Sequence, residues 1–116
     1  MTESDPVRSV TFEDIDYTDD LFVVYEDEPY TGEVVAYYPD GQLRKIETYG
    51  NGRRRGLERT FYPDGTLESE YWNVDGGRHG VGRTWFPNGQ PESETQYDHA
   101  KVLERKRWSE DGTELS

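Results

Sequence analysis

The chain has 116 residues, a net charge of -12 and no cysteine. This length holds one domain. The missing thiols exclude disulfides and cysteine-ligated metal, and the negative balance disfavours nucleic acid and anionic lipid, which would repel it. Only 31% of residues are hydrophobic while 14% are aromatic, so the expectation is a thin fold held by aromatic side chains rather than a thick two-layer core.

The first nine residues read as a loose terminus. MTESDPVRSV carries neither a basic stretch nor an apolar run, so no secretory signal is expected. No apolar run reaches the length of a membrane span, and the cytoplasm is the expected location. Val10 to Tyr17 alternates imperfectly and predicts a short strand. Leu21 to Tyr25, LFVVY, is the most apolar run and predicts a strand that pairs with Gly32 to Tyr38 and caps the end of the fold. Residues 1–28 hold ten of the 25 acidic residues and one basic residue, Arg8, a balance of -9. The cluster comprises Glu13, Asp14, Asp16, Asp19, Asp20, Glu26, Asp27 and Glu28. Two readings fit it: protection of a sheet edge, or attraction of a cationic protein.

From Gly32 onward the chain repeats. GEVVAYYPDG (Gly32 to Gly41), GLERTFYPDG (Gly56 to Gly65) and GVGRTWFPNG (Gly80 to Gly89) share one pattern, and LERKRWSEDG (Leu103 to Gly112) is a worn fourth copy. Gly41, Gly65 and Gly89 stand 24 residues apart, a period that marks a repeat architecture. Pro-Asp-Gly between β-type runs is a hairpin turn: proline presets φ, the acid bonds its own backbone, and glycine supplies positive φ. Looser turns at Gly50, Asn73 and Asp98 return the chain. The expected fold is all-β, an antiparallel meander of stacked hairpins forming a thin single-layer sheet. An acidic segment (1–28) precedes a repeat body (29–116) divided near 32–55, 56–79, 80–102 and 103–116.

Equivalent positions predict columns. Tyr37, Phe61, Trp85 and Trp108 form one, and Tyr38, Tyr62 and Phe86 form its neighbour on the opposite face. Stacking and burial along them is expected to supply most of the stability, and Tyr37, Phe61 and Trp85 are candidate partner anchors. Arg59, Arg83 and Lys106 form a basic column facing Glu68, Glu70, Glu92 and Glu94, which predicts cross-strand ion pairs.

The tract PYTGEVVAYYPDG and the repeated aromatic-aromatic-Pro-Asp/Asn-Gly resemble the MORN-repeat variants found in YwqK-type antitoxins. The resemblance runs from about Tyr25 to the C-terminus, with Leu103 departing where a glycine stands in the other copies. It implies a protein-binding antitoxin or immunity protein whose partner is a basic toxin, or alternatively a structural scaffold. Asp14, Asp16, Asp19, Asp20, Glu26, Asp27 and Glu28 would steer the partner, and Tyr37, Phe61 and Trp85 would hold it.

No catalytic constellation is present. His79 and His99 are single, in return turns, and share no metal-binding spacing. No GxSxG elbow occurs, and the glycines of the return turns precede no helix that could cap a phosphate. Arg53, Arg54 and Arg55 read as a solvated turn, with contact to an acidic surface as the alternative. The sequence predicts no enzyme, cofactor or metal.

Overall fold

The computed structural model describes residues 9–20 and 22–115; the expected loose terminus up to residue 8, and Leu21, lie outside them. Short β1 (Ser9–Thr11) leads into one 3-10 turn (Phe12–Asp14). Then come β2 (Asp16–Tyr17), β3 (Val23–Tyr25), β4 (Glu28–Pro29), β5 (Gly32–Tyr37), β6 (Leu43–Gly50) and β7 (Arg53–Phe61). The chain continues through β8 (Leu67–Val74), β9 (Gly77–Arg78), β10 (Gly80–Trp85), β11 (Pro91–Asp98), β12 (Lys101–Trp108) and β13 (Glu114–Leu115). Strands β1 and β5 to β13 make one ten-stranded sheet, and β2, β3 and β4 make a second of three strands. From β5 onward the large sheet is the expected antiparallel meander.

Forward turns follow the predicted chemistry copy by copy. Gly41, Gly65, Gly89 and Gly112 all have φ between 87° and 91°. Each donates its amide to the residue three before it: Tyr38, Tyr62, Phe86 and Ser109. In the same turns Asp40, Asp64, Asn88 and Asp111 accept the amide two residues on, at 2.9–3.0 Å. Each is a type I turn closed by a bulge glycine. Return turns are two-residue loops with both residues at positive φ: Glu26-Asp27, Asn51-Gly52, Asp75-Gly76 and His99-Ala100.

The capping strand differs from the expectation. Val23–Tyr25 does not pair with β5; it pairs with β2 and β4 in the small sheet. The strand beside β5 is β1, and it runs parallel to it, Val10 opposite Val34. The physical reason is the apolar cluster of Val10, Ile15, Val23, Tyr30, Val34 and Tyr49, with Phe12 and Tyr25 against it. Four of these six come from residues 10–30, so the N-terminal segment folds over the first repeat and buries apolar surface on it. Gly52 stitches it down: Val23 donates to its carbonyl and its amide donates to Tyr30, both at 2.8 Å. A side chain at Gly52 would meet the Val23 carbonyl and the Phe22 ring.

One row of cross-strand neighbours runs through Val35, Ile46, Arg59, Glu70, Arg83, Glu94 and Lys106. Its charges alternate in sign from β7 to β12. Arg59 meets Glu70 at 2.7 Å and Arg83 meets Glu94 at 3.2 Å, as the basic and acidic columns predicted. These pairs are part-exposed, so each contributes a fraction of a kcal/mol, roughly 0.2–1.

Candidate protein-binding surface

The aromatic columns are not ring stacks. Tyr37, Phe61 and Trp85 stand on β5, β7 and β10, each two strands from the next. Strands lie about 4.8 Å apart, so rings in a column sit roughly 10 Å apart, beyond the ~7 Å reach of aromatic pairing. The neighbouring column joins the copies by another route. The Tyr38 hydroxyl donates to the Phe61 carbonyl and the Tyr62 hydroxyl to the Trp85 carbonyl, each at 2.6 Å. Phe86 has no hydroxyl to repeat the contact with Trp108. Tyr37 is half exposed, while Phe61 and Trp85 are partly buried.

The opposite face buries polar side chains. Glu47 and Glu58 are direct cross-strand neighbours, 1% and 5% exposed. Like charges placed so would repel, and each is compensated. Glu47 takes Arg54 at 3.1 Å, Lys45 at 3.5 Å and the Tyr49 hydroxyl at 2.8 Å. Glu58 accepts from Asn73 at 3.0 Å and faces Arg78 at 3.5 Å. Burial pushes the Tyr49 hydroxyl well above its ordinary value, against the pull of Arg54 and with the help of the Glu47 charge. Farther along, Arg78 lies 3.5 Å from the centre of the Tyr71 ring, and Tyr71 meets Tyr97 edge-on at 6.2 Å. That pair reaches across β10 because Gly82 leaves the space open: a side chain there would run into Tyr71.

The eight acidic residues of the N-terminal cluster are all exposed. None of Asp16, Asp19, Asp20, Glu26, Asp27 or Glu28 lies in ion-pair range of a described base. Asp14 acts locally. It accepts the Thr11 amide and hydroxyl across the 3-10 turn, and these bonds hold its carboxyl below the usual carboxylate value. Two of the acids, Glu13 and Asp20, line clefts. Glu13 and Phe12 line a cavity of about 390 Å³ with Tyr37 and Arg44. Asp20 and Tyr17 line another of about 420 Å³ with Tyr49, Arg53 and Arg54. Of the proposed aromatic anchors, Tyr37 adjoins the acidic segment; Phe61 and Trp85 line neither cleft.

A profile of the MORN repeat variant matches residues 30–51, 54–73 and 78–99, more than half of the chain. The chain belongs to the MORN-repeat-variant family. Nothing among curated proteins or solved structures matches it. The repeat type is a non-catalytic one whose members are in general protein-binding. The fourth copy, with Leu103 as an exposed bulge residue in place of the positive-φ glycine, lies outside the matched ranges.

Within the MORN repeats, sequence reasoning missed Trp72, which is 52% exposed. Its equivalents one period away are polar, Thr48 and Gln96; a tryptophan in a polar column was the available signal. It also separated His79 from His99. Successive return turns stack, so the MORN meander brings the two rings to 4.7 Å, and Ala100 packs against Gly77 of the preceding turn. No helix among the described residues is long and apolar enough to cross a membrane.

Proposed function

We propose that this MORN-repeat protein is a non-catalytic binding protein, and more narrowly a cytoplasmic antitoxin or immunity protein that neutralises a cationic toxin by direct contact. The observation that carries this reading is the distribution of charge. Across the repeats, basic and acidic side chains pair in a ladder and largely cancel. In residues 16–28 six exposed carboxylates make no ion pair with a described base, although Asp20 shares a cleft with Arg53 and Arg54. Such a field accelerates encounter with a basic surface. Tyr37, in the cleft lined by Glu13 and Arg44, and Trp72, on the open sheet, supply exposed aromatic area of the kind that anchors interfaces; Phe61 and Trp85 add to it along the column.

The test is affinity capture from the native host at low salt, with wild type and with Asp16, Asp19 and Asp20 changed to Asn. One basic partner that arrests growth when expressed alone, is silenced by co-expression and is lost by the variant supports the reading. Retention of the same partner by the variant overturns the electrostatic mechanism. A partner that is not toxic overturns the antitoxin role and favours a scaffold. The scaffold reading has its own support in β12, which is exposed along nearly all its length.

A further inference from the structure

Adjacent return turns carry three side chains with metal-binding atoms. His79 follows β9, Asp98 ends β11, and His99 opens the next turn. One ligand atom from each lies within 4.8 Å of the others. Asp98 Oδ1 is 2.8 Å from His99 Nδ1 and 3.8 Å from His79 Nδ1. Around an ion bound at about 2.0–2.1 Å, neighbouring tetrahedral ligands stand about 3.3 Å apart. The two observed separations bracket that figure, and the two histidine ligand atoms lie within 4.8 Å of each other.

The backbone holds the group in place. His99 has φ 47° and Ala100 φ 73°, in a two-residue turn whose equivalents are Asn51-Gly52 and Asp75-Gly76. Ala100 donates to the Arg78 carbonyl at 2.6 Å, which fixes one turn on the other. The His99 amide reaches His79 Nδ1 at 3.2 Å, at the long limit of an N–H hydrogen bond, and is readily exchanged for a stronger ligand. The three side chains are part-exposed, so an ion there keeps open positions for water.

We propose that His79, Asp98 and His99 form a binding site for a late first-row divalent cation, zinc foremost. Two imidazoles and one carboxylate are the donor set that suits zinc, nickel and copper and that magnesium or calcium does not select. Proximity of this kind follows from the stacking of turns one repeat apart, and neither histidine alone would bind.

The experiment is calorimetric titration of the whole chain with Zn2+, with Mg2+ as control. Co2+ absorption serves as a second probe of nitrogen and oxygen coordination. Variants are His79→Ala, and His99→Asn, whose new side chain suits the positive-φ position. Far-ultraviolet circular dichroism verifies that they remain folded. The expected result is one Zn2+ per chain, no Mg2+ heat, visible Co2+ bands, and affinity at least 10-fold weaker in each variant. Absence of Zn2+ binding, or equal binding by wild type and both folded variants, overturns the proposal.

Discussion

Asp64 and Asn88 occupy the same turn position in successive copies, and each accepts the amide two residues later at 2.9 Å. One titrates and the other does not. Bonds from the Thr66 hydroxyl and amide hold the Asp64 carboxyl below its ordinary value. Ser109, then Thr113, lower Asp111 to about 2. A carboxyl depressed in the folded state stabilises it above the unfolded value, near 3.8, and that contribution is lost as pH falls through the folded value. The fourth turn should therefore loosen between about pH 4 and about pH 2, while the third, built on Asn88, should not. Amide shifts of Thr113 and Gln90 followed by NMR over this range check it; equal titration of both would refute it. Gly82 makes a second prediction at this scale. Gly82→Ala drives a methyl into the Tyr71 ring and should cost about 1–3 kcal/mol, read as a lower melting midpoint with a changed near-ultraviolet tyrosine signal. An unchanged midpoint would mean the Tyr71–Tyr97 pair moves aside freely.

Between strands and hairpins, the joints are the phenol-to-carbonyl bonds of Tyr38 and Tyr62. A net hydrogen bond is worth about 1 kcal/mol. Tyr62→Phe should lower stability by that amount, read as a lower urea midpoint with the m-value unchanged. Phe86→Tyr should raise it, by giving the third copy a hydroxyl that reaches the Trp108 carbonyl. If Phe86→Tyr leaves the midpoint where it was, the fourth copy does not sit in the register of the others. The turns and the charge ladder were legible in the sequence because they depend on local φ preferences and on period-2 alternation, which the 24-residue phase carries across copies. Contact between column members was not legible. A period gives equivalence, whereas distance depends on how many strands intervene. The buried pair Glu47 and Glu58 was hidden for a related reason: Arg54, Asn73 and Arg78 reach them only once the strands have paired, and no local pattern encodes that. Trp72 and the histidine pair were visible as residues, but their exposure and proximity belong to the assembled sheet.

Over the whole molecule, the two ends are built differently. The N-terminal end carries the apolar cluster and a second small sheet. At the other end, β12 is exposed along nearly all its length, with Val102 and Leu103 open to solvent. Local opening follows buried apolar contact, so amide exchange should be slowest in β5 to β7 and fastest in β12 and β13, as mass spectrometry of deuterium uptake would show. Uniform protection would contradict this polarity. Gly52→Ala, which forces a methyl against the Val23 carbonyl at positive φ, should raise exchange in β3 and β4 well before β8. The parallel pairing of β1 behind this cap was beyond sequence reading, because it joins Val10 to Val34 across the small sheet that lies between them in the chain.

Each forward turn closes on its own side chain and backbone, and of these four turn side chains Asn88 also bonds the next turn, donating to the Glu110 carbonyl at 3.1 Å. The cap touches the first copy and its return turn. Copy number is therefore a quantity the architecture leaves unfixed. A duplicated hairpin inserted after Val74 would lengthen the sheet by two strands, about 10 Å, and would leave the capped end as it is. The molecule behaves as a ruler with a fixed zero, whose reach can change without redesign of the capped end.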